Sequence, residues 1–215
     1  MPTPRAVLFD LDGTLADTFP LIVSSWNAAV WPISGRQYST ADVVSRFGVT
    51  DTAMLQRELP QHQWDQAVST YYSHYEANHS IVKVFPGVPE LLANLARRGL
   101  PLGLMTGKGR RSAIITLRCL GWLSLFGSIV TGDDVIKQKP APDGLLLVTQ
   151  QLAVAPHDCV WVGDSPADMK AGKAAGIYTV AAGWHLIYAD RIAALQPDCI
   201  AQTPQELAAI LLSQK

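Results

Sequence analysis

The chain has 215 residues, with 17 basic and 18 acidic side chains, a formal net charge of −1, and 48% apolar against 16% charged residues. So even a charge gives no electrostatic basis for binding nucleic acid or an anionic membrane, and so apolar a composition excludes a disordered chain. The length suits one substantial core, or a core with a smaller insert. After Met1-Pro2-Thr3-Pro4-Arg5 only four apolar residues, Ala6 to Phe9, precede Asp10, too few for a signal-peptide core, and no later stretch is long enough to span a bilayer. Cys119, Cys159 and Cys199 are far apart and lack metal-binding spacing, so they read as reduced core thiols of a cytoplasmic protein.

In chain order, Ala6–Phe9 is an apolar run that predicts a strand buried on both faces, ending in Asp10, Asp12 and the turn-forming Gly13. The next seventy residues show no strand pattern. Asp17 or Thr18 caps a helix with Leu21, Ile22, Trp26, Ala29 and Val30 on one face, broken by Pro32, Ser34 and Gly35. Helices are expected over 41–47 with Thr40 as cap, over 51–59 up to Pro60, and over 63–79, and the Trp and Tyr residues of the whole helical stretch are expected to form its core. The rhythm changes at Phe85-Pro86-Gly87-Val88. A helix over 88–98 stops at Gly99, and a strand over 101–106 meets the loop Gly107-Lys108-Gly109. A helix over 110–120 stops at Gly121, and a strand lies at Ile129 and Val130. After Lys139-Pro140-Ala141-Pro142 a helix runs to Leu152. A strand over 159–162 ends in Gly163-Asp164-Ser165, a helix over 166–175 stops at Gly176, and a strand covers 178–182. A weak strand surrounds Cys199 and Ile200, before a closing helix over 204–212.

Strands alternating with helices imply α/β architecture: a three-layer sandwich with a mainly parallel, Rossmann-like sheet. The all-helical stretch is expected to be an inserted cap domain over residues 16–84, seated on a core of residues 1–15 and 85–215 and joined to it by linkers near Ala16 and Val84. A site at the carboxyl edge of the sheet would then lie at a domain interface.

Each clean strand exit carries a chemically useful group. Two carboxylates, Asp10 and Asp12, repel each other unless a hard divalent cation, typically magnesium, compensates. One carboxylate can then attack an electrophile while the other moves protons. Lys139 offers positive charge, Thr106 a hydroxyl, and Gly107 an amide that no side chain obstructs. Asp164 offers a further magnesium ligand. Phosphoryl transfer, which is mostly positioning and electrostatics, needs this set. Each member also has an ordinary structural explanation: Asp164 can precede a helix cap, Asp168 can complement a helix dipole, and Lys139 can be a surface charge. Four polar groups at converging positions are harder to explain that way.

Asp10-Leu11-Asp12-Gly13-Thr14-Leu15 resembles the first signature of the haloacid dehalogenase-like hydrolase superfamily. Thr106, Lys139 and Gly163-Asp164-Ser165-Pro166-Ala167-Asp168 resemble its second, third and fourth signatures, and the helical insert is similar to the small α-helical cap of the phosphoglycolate phosphatase-like subgroup. The resemblance implies roles. Asp10 would form an aspartyl-phosphate, and Asp12 would serve as acid and then base. Asp10, the Asp12 backbone carbonyl and Asp164 would hold magnesium, with Asp168 supporting that shell. Thr106, Gly107 and Lys139 would bind the phosphoryl oxygens. Asp12 argues against dehalogenation, whose practitioners lack it. Gly107-Lys108 and Ser165-Pro166 depart from the commonest versions of the signatures.

The cap loop over 46–50 is the candidate for substrate recognition, with Arg46 pairing to a carboxylate or second phosphate and Thr50 beside it. Lys108 is a further candidate for such pairing. The five histidines, His62, His74, His79, His157 and His185, read as surface or cap residues. The expected activity is magnesium-dependent hydrolysis of a small phosphorylated metabolite, 2-phosphoglycolate first, by a monomer or homodimer with no nucleic-acid or membrane partner. A sugar-phosphate phosphomutase, a pyrophosphatase and a non-enzymatic receiver-like switch remain alternatives.

Overall fold

A computed structural model describes residues 3–185, 194 and 196–212. The chain opens with β1 (Ala6–Phe9), and a two-residue strand β2 (Ala16–Asp17) leads into helices α1 (Phe19–Ser34), α2 (Thr40–Val44), α3 (Asp51–Glu58) and α4 (Trp64–Ala77). A second short strand, β3 (Lys83–Val84), returns to an alternating region. This comprises α5 (Val88–Arg97), β4 (Leu102–Met105), α6 (Arg110–Cys119), β5 (Ser128–Val130), α7 (Asp143–Gln151), β6 (Cys159–Gly163), α8 (Pro166–Ala175), β7 (Tyr178–Ala182), β8 (Cys199–Ala201) and α9 (Pro204–Leu212).

Six strands form one sheet in the order β5-β4-β1-β6-β7-β8, with every pairing parallel. Alternation along the strands fills both faces. Val7 and Phe9 of β1, with Leu102, Leu104, Val160 and Val162, pack against Leu91, Leu92 and Leu95 of α5, Leu117 of α6 and Leu207 of α9. Ala6, Leu8, Met105 and Trp161 point the other way, onto Leu145 and Val148 of α7 and Ala171 of α8. This is the expected three-layer α/β arrangement. The chain moves outward from β1 to β4 and β5 on one side, and to β6, β7 and β8 on the other. The carboxyl end of β1 is therefore the topological switch point, where such sheets bind ligands.

Helices α1–α4 enclose an apolar cluster of their own, with Leu21, Ile22, Trp26, Val43, Leu55, Tyr71 and Tyr75 at its centre, and α6 contributes Ile115 to it. The aromatic residues expected as core therefore are core, except Trp31, which is exposed.

Four local expectations are corrected. Residues 16–84 do contain strand: β2 and β3 pair antiparallel (Ala16 with Val84, Asp17 with Lys83) where linkers were expected. Two-residue strands are too short to leave a period in the sequence. Pro32 does not break α1, because in the last turn it forfeits only one backbone bond, and Ala29 and Val30 remain buried up to the left-handed Gly35. The cap of α2 is Ser39 rather than Thr40, since Ser39 and Asp42 satisfy each other's backbone amides reciprocally. Cys119 is exposed rather than core, although all three cysteines are free.

Gly103 in β4 has no room for a side chain: a Cβ there would collide with Val148 of α7 and Leu8 of β1. Gly103→Ala is expected to cost about 1–3 kcal/mol by overpacking, read as a lower urea midpoint with an unchanged slope.

Candidate active site

The switch point gathers side chains from three strand ends. Asp10 follows β1, its amide bonded to the Val162 carbonyl (2.9 Å). Thr106 follows β4 and is buried, its amide bonded to the Val130 carbonyl (3.0 Å). Asp164 follows β6 and is also buried, accepting from the Thr14 hydroxyl at 3.0 Å and facing His185 Nδ1 at 3.4 Å. Gly13 makes this approach possible. Its φ is +85°, and a Cβ there would strike both the Asp164 carboxylate and the His185 ring.

Asp168, in the first turn of α8, is wholly buried. Its Oδ2 accepts from the Ser165 amide (2.9 Å) and the Ser165 hydroxyl (2.5 Å), and the Ser165 oxygen accepts from the Asp168 amide (3.3 Å). That reciprocal cap leaves Oδ1 to accept from Lys139 Nζ at 2.6 Å. The same ammonium lies 3.0 Å from Asp10 Oδ1 and 5.3 Å from the centre of the Trp161 ring.

Asp10, Asp164 and Asp168 each present a carboxylate oxygen within 4.8 Å of the others. Burial, opposed by Lys139 and reinforced by Asp168, Asp164 and Asp12, raises the Asp10 carboxyl well above its ordinary range. Burial raises Asp164 too, against the pull of His185. Burial alone would discharge Lys139, but Asp10 and Asp168 overrule it and hold the ammonium charged. Asp10 Oδ1 is buried and, although ion-paired with Lys139, receives no well-directed hydrogen bond. Crowded, buried, oxygen-only donors with one oxygen under-satisfied fit a hard divalent cation such as magnesium.

Asp12 stands apart from this group. Its carboxylate faces Lys108 Nζ at 3.1 and 3.3 Å and accepts from the Thr18 hydroxyl. A cavity of about 350 Å³ opens over the whole arrangement. Asp10, Asp12, Thr106, Gly107, Lys108, Lys139 and Asp164 line one side of it. The helical segment supplies Phe19, Ile22, Val44, Phe47, Gly48, Val49, Asp51 and Met54 on the other.

The structure thus brings together Asp10, Asp12, Thr106, Gly107, Lys139, Asp164 and Asp168, but it places two expected residues elsewhere. Arg46 does not line the cavity. Its Nε donates to Glu58 Oε2 (2.9 Å), its Nη1 donates to the Asp42 carbonyl (2.5 Å), and its guanidinium lies over Tyr38. These partners hold it, a quarter exposed, over the Trp26 and Tyr38 rings, although its neighbours Phe47, Gly48 and Val49 do reach the cavity. Thr50 is buried at the start of α3, close to Gly132, and does not line the cavity either.

Two residues escaped the sequence reading. His185 is neither a surface nor a cap residue: it is buried beside Asp164, between Phe19 (ring centres 4.8 Å apart) and Phe85 (5.6 Å). Its only sequence signal is its place three residues beyond β7, at the same sheet edge as Asp10. Asp51 is buried and accepts from the Tyr71 hydroxyl (2.8 Å), the Gly109 amide (3.1 Å) and the Ser112 hydroxyl (2.5 Å). It thereby ties α3 and α4 to the start of α6, directly after the Thr106–Lys108 loop.

The family model for haloacid dehalogenase-like hydrolases matches residues 7–182, which include every one of these site positions except His185. A phosphoglycolate phosphatase of Escherichia coli O157:H7 is 32% identical, over 94% of this chain and 90% of its own length. One of Xylella fastidiosa strain Temecula1 is 34% identical, over 95% and 92%. Among solved structures, one described as a predicted phosphoglycolate phosphatase from Haemophilus somnus 129PT superposes with a TM-score of 0.87 at 26% identity, covering both chains completely. The chain belongs to the haloacid dehalogenase-like hydrolase family. Within it, the relatives put it in the phosphoglycolate phosphatase-like subgroup, and it is a phosphatase. Among the described residues, no helix is long and apolar enough to cross a membrane.

Asp51→Ala leaves the Tyr71 hydroxyl and the Gly109 amide without their acceptor, while the Ser112 hydroxyl keeps the Gly109 carbonyl at 3.1 Å. It is expected to cost about 3 kcal/mol, measured by urea unfolding. An unchanged midpoint would show that Asp51 does not tie the helices to α6.

Proposed function

We propose that the protein is a magnesium-dependent phosphomonoesterase that hydrolyses a small phosphorylated metabolite, 2-phosphoglycolate first, through an aspartyl-phosphate on Asp10. The single observation that carries this reading is the convergence of Asp10, Lys139, Asp164 and Asp168 beneath one cavity, with Asp12 beside them. The names of the relatives support the choice of substrate.

The Asp10 carboxylate attacks phosphorus as the bond from phosphorus to the ester oxygen breaks, and Asp12 delivers a proton to the departing alkoxide. Asp12, now basic, takes a proton from the water that attacks the acyl phosphate, which releases inorganic phosphate and restores Asp10. The Thr106 hydroxyl, the Gly107 amide and the Lys139 ammonium bind the phosphoryl oxygens while charge builds on them. Asp168 fixes Lys139 against Asp10. Asp10, Asp164 and the Asp12 backbone carbonyl would hold magnesium, which supplies the positive charge that lets an anionic nucleophile meet an anionic ester.

The same reading takes residues 16–84 as a cap over a core of residues 1–15 and 85–215. The two-stranded ribbon at the junction and the separate apolar cluster of α1–α4 support that division. The free cysteines support a cytoplasmic setting.

Release of inorganic phosphate from 2-phosphoglycolate is the direct test. Asp10→Asn is expected to lose at least about 10³-fold in kcat, and chelation of magnesium is expected to stop turnover until the ion is restored. Retained turnover in the Asn variant would remove Asp10 as nucleophile. A sugar phosphate isomerised without phosphate release would instead identify a mutase.

A further inference from the structure

We propose that Lys108 recognises a carboxylate on the carbon that carries the phosphate ester, so that 2-phosphooxy carboxylates are the substrate class. The inference rests on the reading of Asp10 as nucleophile and Asp12 as acid, and it begins from the distribution of charge around the cavity.

Among the described residues that line the cavity, two are cationic, Lys108 and Lys139. Lys139 is fixed at the phosphorus end between Asp10 and Asp168. The side formed by the helical segment offers no cation. It presents Phe19, Ile22, Phe47, Val49 and Met54, together with the acidic Asp51. An anionic group there would lose its hydration without gaining a partner. Arg46, the nearest cation in sequence to that wall, is bound to Glu58 and the Asp42 carbonyl over the Trp26 and Tyr38 rings.

Lys108 is the cation that remains, and its position is specific. Its Nζ lies 3.1 and 3.3 Å from the two oxygens of Asp12 and 5.1 Å from the centre of the Tyr75 ring. The side chain is 1% exposed. Burial would discharge it, but the negative charges of Asp12 and Asp51 oppose that effect and favour the ammonium form. Asp12 must touch the ester oxygen to protonate it. The carbon bonded to that oxygen therefore lies next to Asp12, and a carboxylate on that carbon comes within reach of an ammonium already held against Asp12. A second phosphate or carboxylate farther along the substrate would instead meet the apolar wall.

The test compares kcat/KM for 2-phosphoglycolate with that for ethyl phosphate, which carries a methyl group in place of the carboxylate. The wild type is expected to favour 2-phosphoglycolate at least about tenfold. In Lys108→Met that preference is expected to fall about tenfold to a hundredfold, chiefly through KM for 2-phosphoglycolate, while Lys108→Arg, which keeps the charge, retains part of it. A residue that only braced Asp12 would slow both esters equally, so an unchanged ratio in Lys108→Met overturns the proposal. Equal turnover of both esters by the wild type also overturns it. A wild type that hydrolyses neither ester defeats the proposed activity on 2-phosphoglycolate, on which this inference rests. If circular dichroism shows the Met variant unfolded, inhibition of the wild type decides: 3-phosphonopropionate is expected to bind at least about tenfold more tightly than propylphosphonate, and equal binding overturns the proposal.

Discussion

The ammonium of Lys139, held between Asp10 and Asp168, is the contact on which the rest of the site depends. Three buried carboxylates within a few ångströms repel one another strongly in a medium that screens charge poorly. One buried cation offsets part of that repulsion, and the remaining negative charge suits a metal ion. The arrangement draws on distant parts of the chain: the end of β1 supplies Asp10, the loop before α7 supplies Lys139, and the first turn of α8 supplies Asp168. Asp168 is held in turn by the Ser165 cap, and a side chain at Gly163 would displace it. Two of the three groups thus sit at a strand end and in a helix's first turn, and they fix the third, which comes from a loop.

The cavity above is asymmetric. The sheet side carries nearly all of its polar groups and both of its lysines, whereas the helical side is largely aromatic and aliphatic. A water-poor wall opposite a charged floor strengthens each electrostatic contact made at the floor. Selectivity can then arise at the strand ends as well as in the helices, and the placement of Arg46 and Lys108 agrees with that division.

Much of this was readable from residue order alone. Five of the six strands of the sheet are apolar runs closed by Gly, Asp or Thr, with β8, followed by Gln202, the exception, and the polar groups at the exits of β1, β4 and β6 sit where the parallel order requires. What escaped depended on partners outside each residue's own helix, strand or loop. Whether Arg46 points out or in is decided by Glu58 and Tyr38, not by its own loop. His185 reads as an ordinary polar residue until Gly13 and Asp164, more than a hundred residues away and close at hand respectively, fold against it. The β2–β3 ribbon has too few residues to show a period, and the pairing of Lys108 with Asp12 joins residues 96 positions apart. Apart from that ribbon, local pattern settles which segments are strands and helices, whereas side-chain direction is a tertiary property.

Helix α6 serves two masters. It springs from the Thr106–Lys108 loop at the sheet edge, yet Ile115 is buried in the apolar cluster of α1–α4, and the Thr116 hydroxyl meets the Tyr75 hydroxyl at 2.8 Å. The helical segment is consequently not an interchangeable module. Grafting a different set of helices onto this sheet would require rewriting the outer face of α6 as well, and a variation that improves packing among the helices can displace the Thr106–Lys108 loop. Drift in one half of the molecule is thus constrained by chemistry in the other.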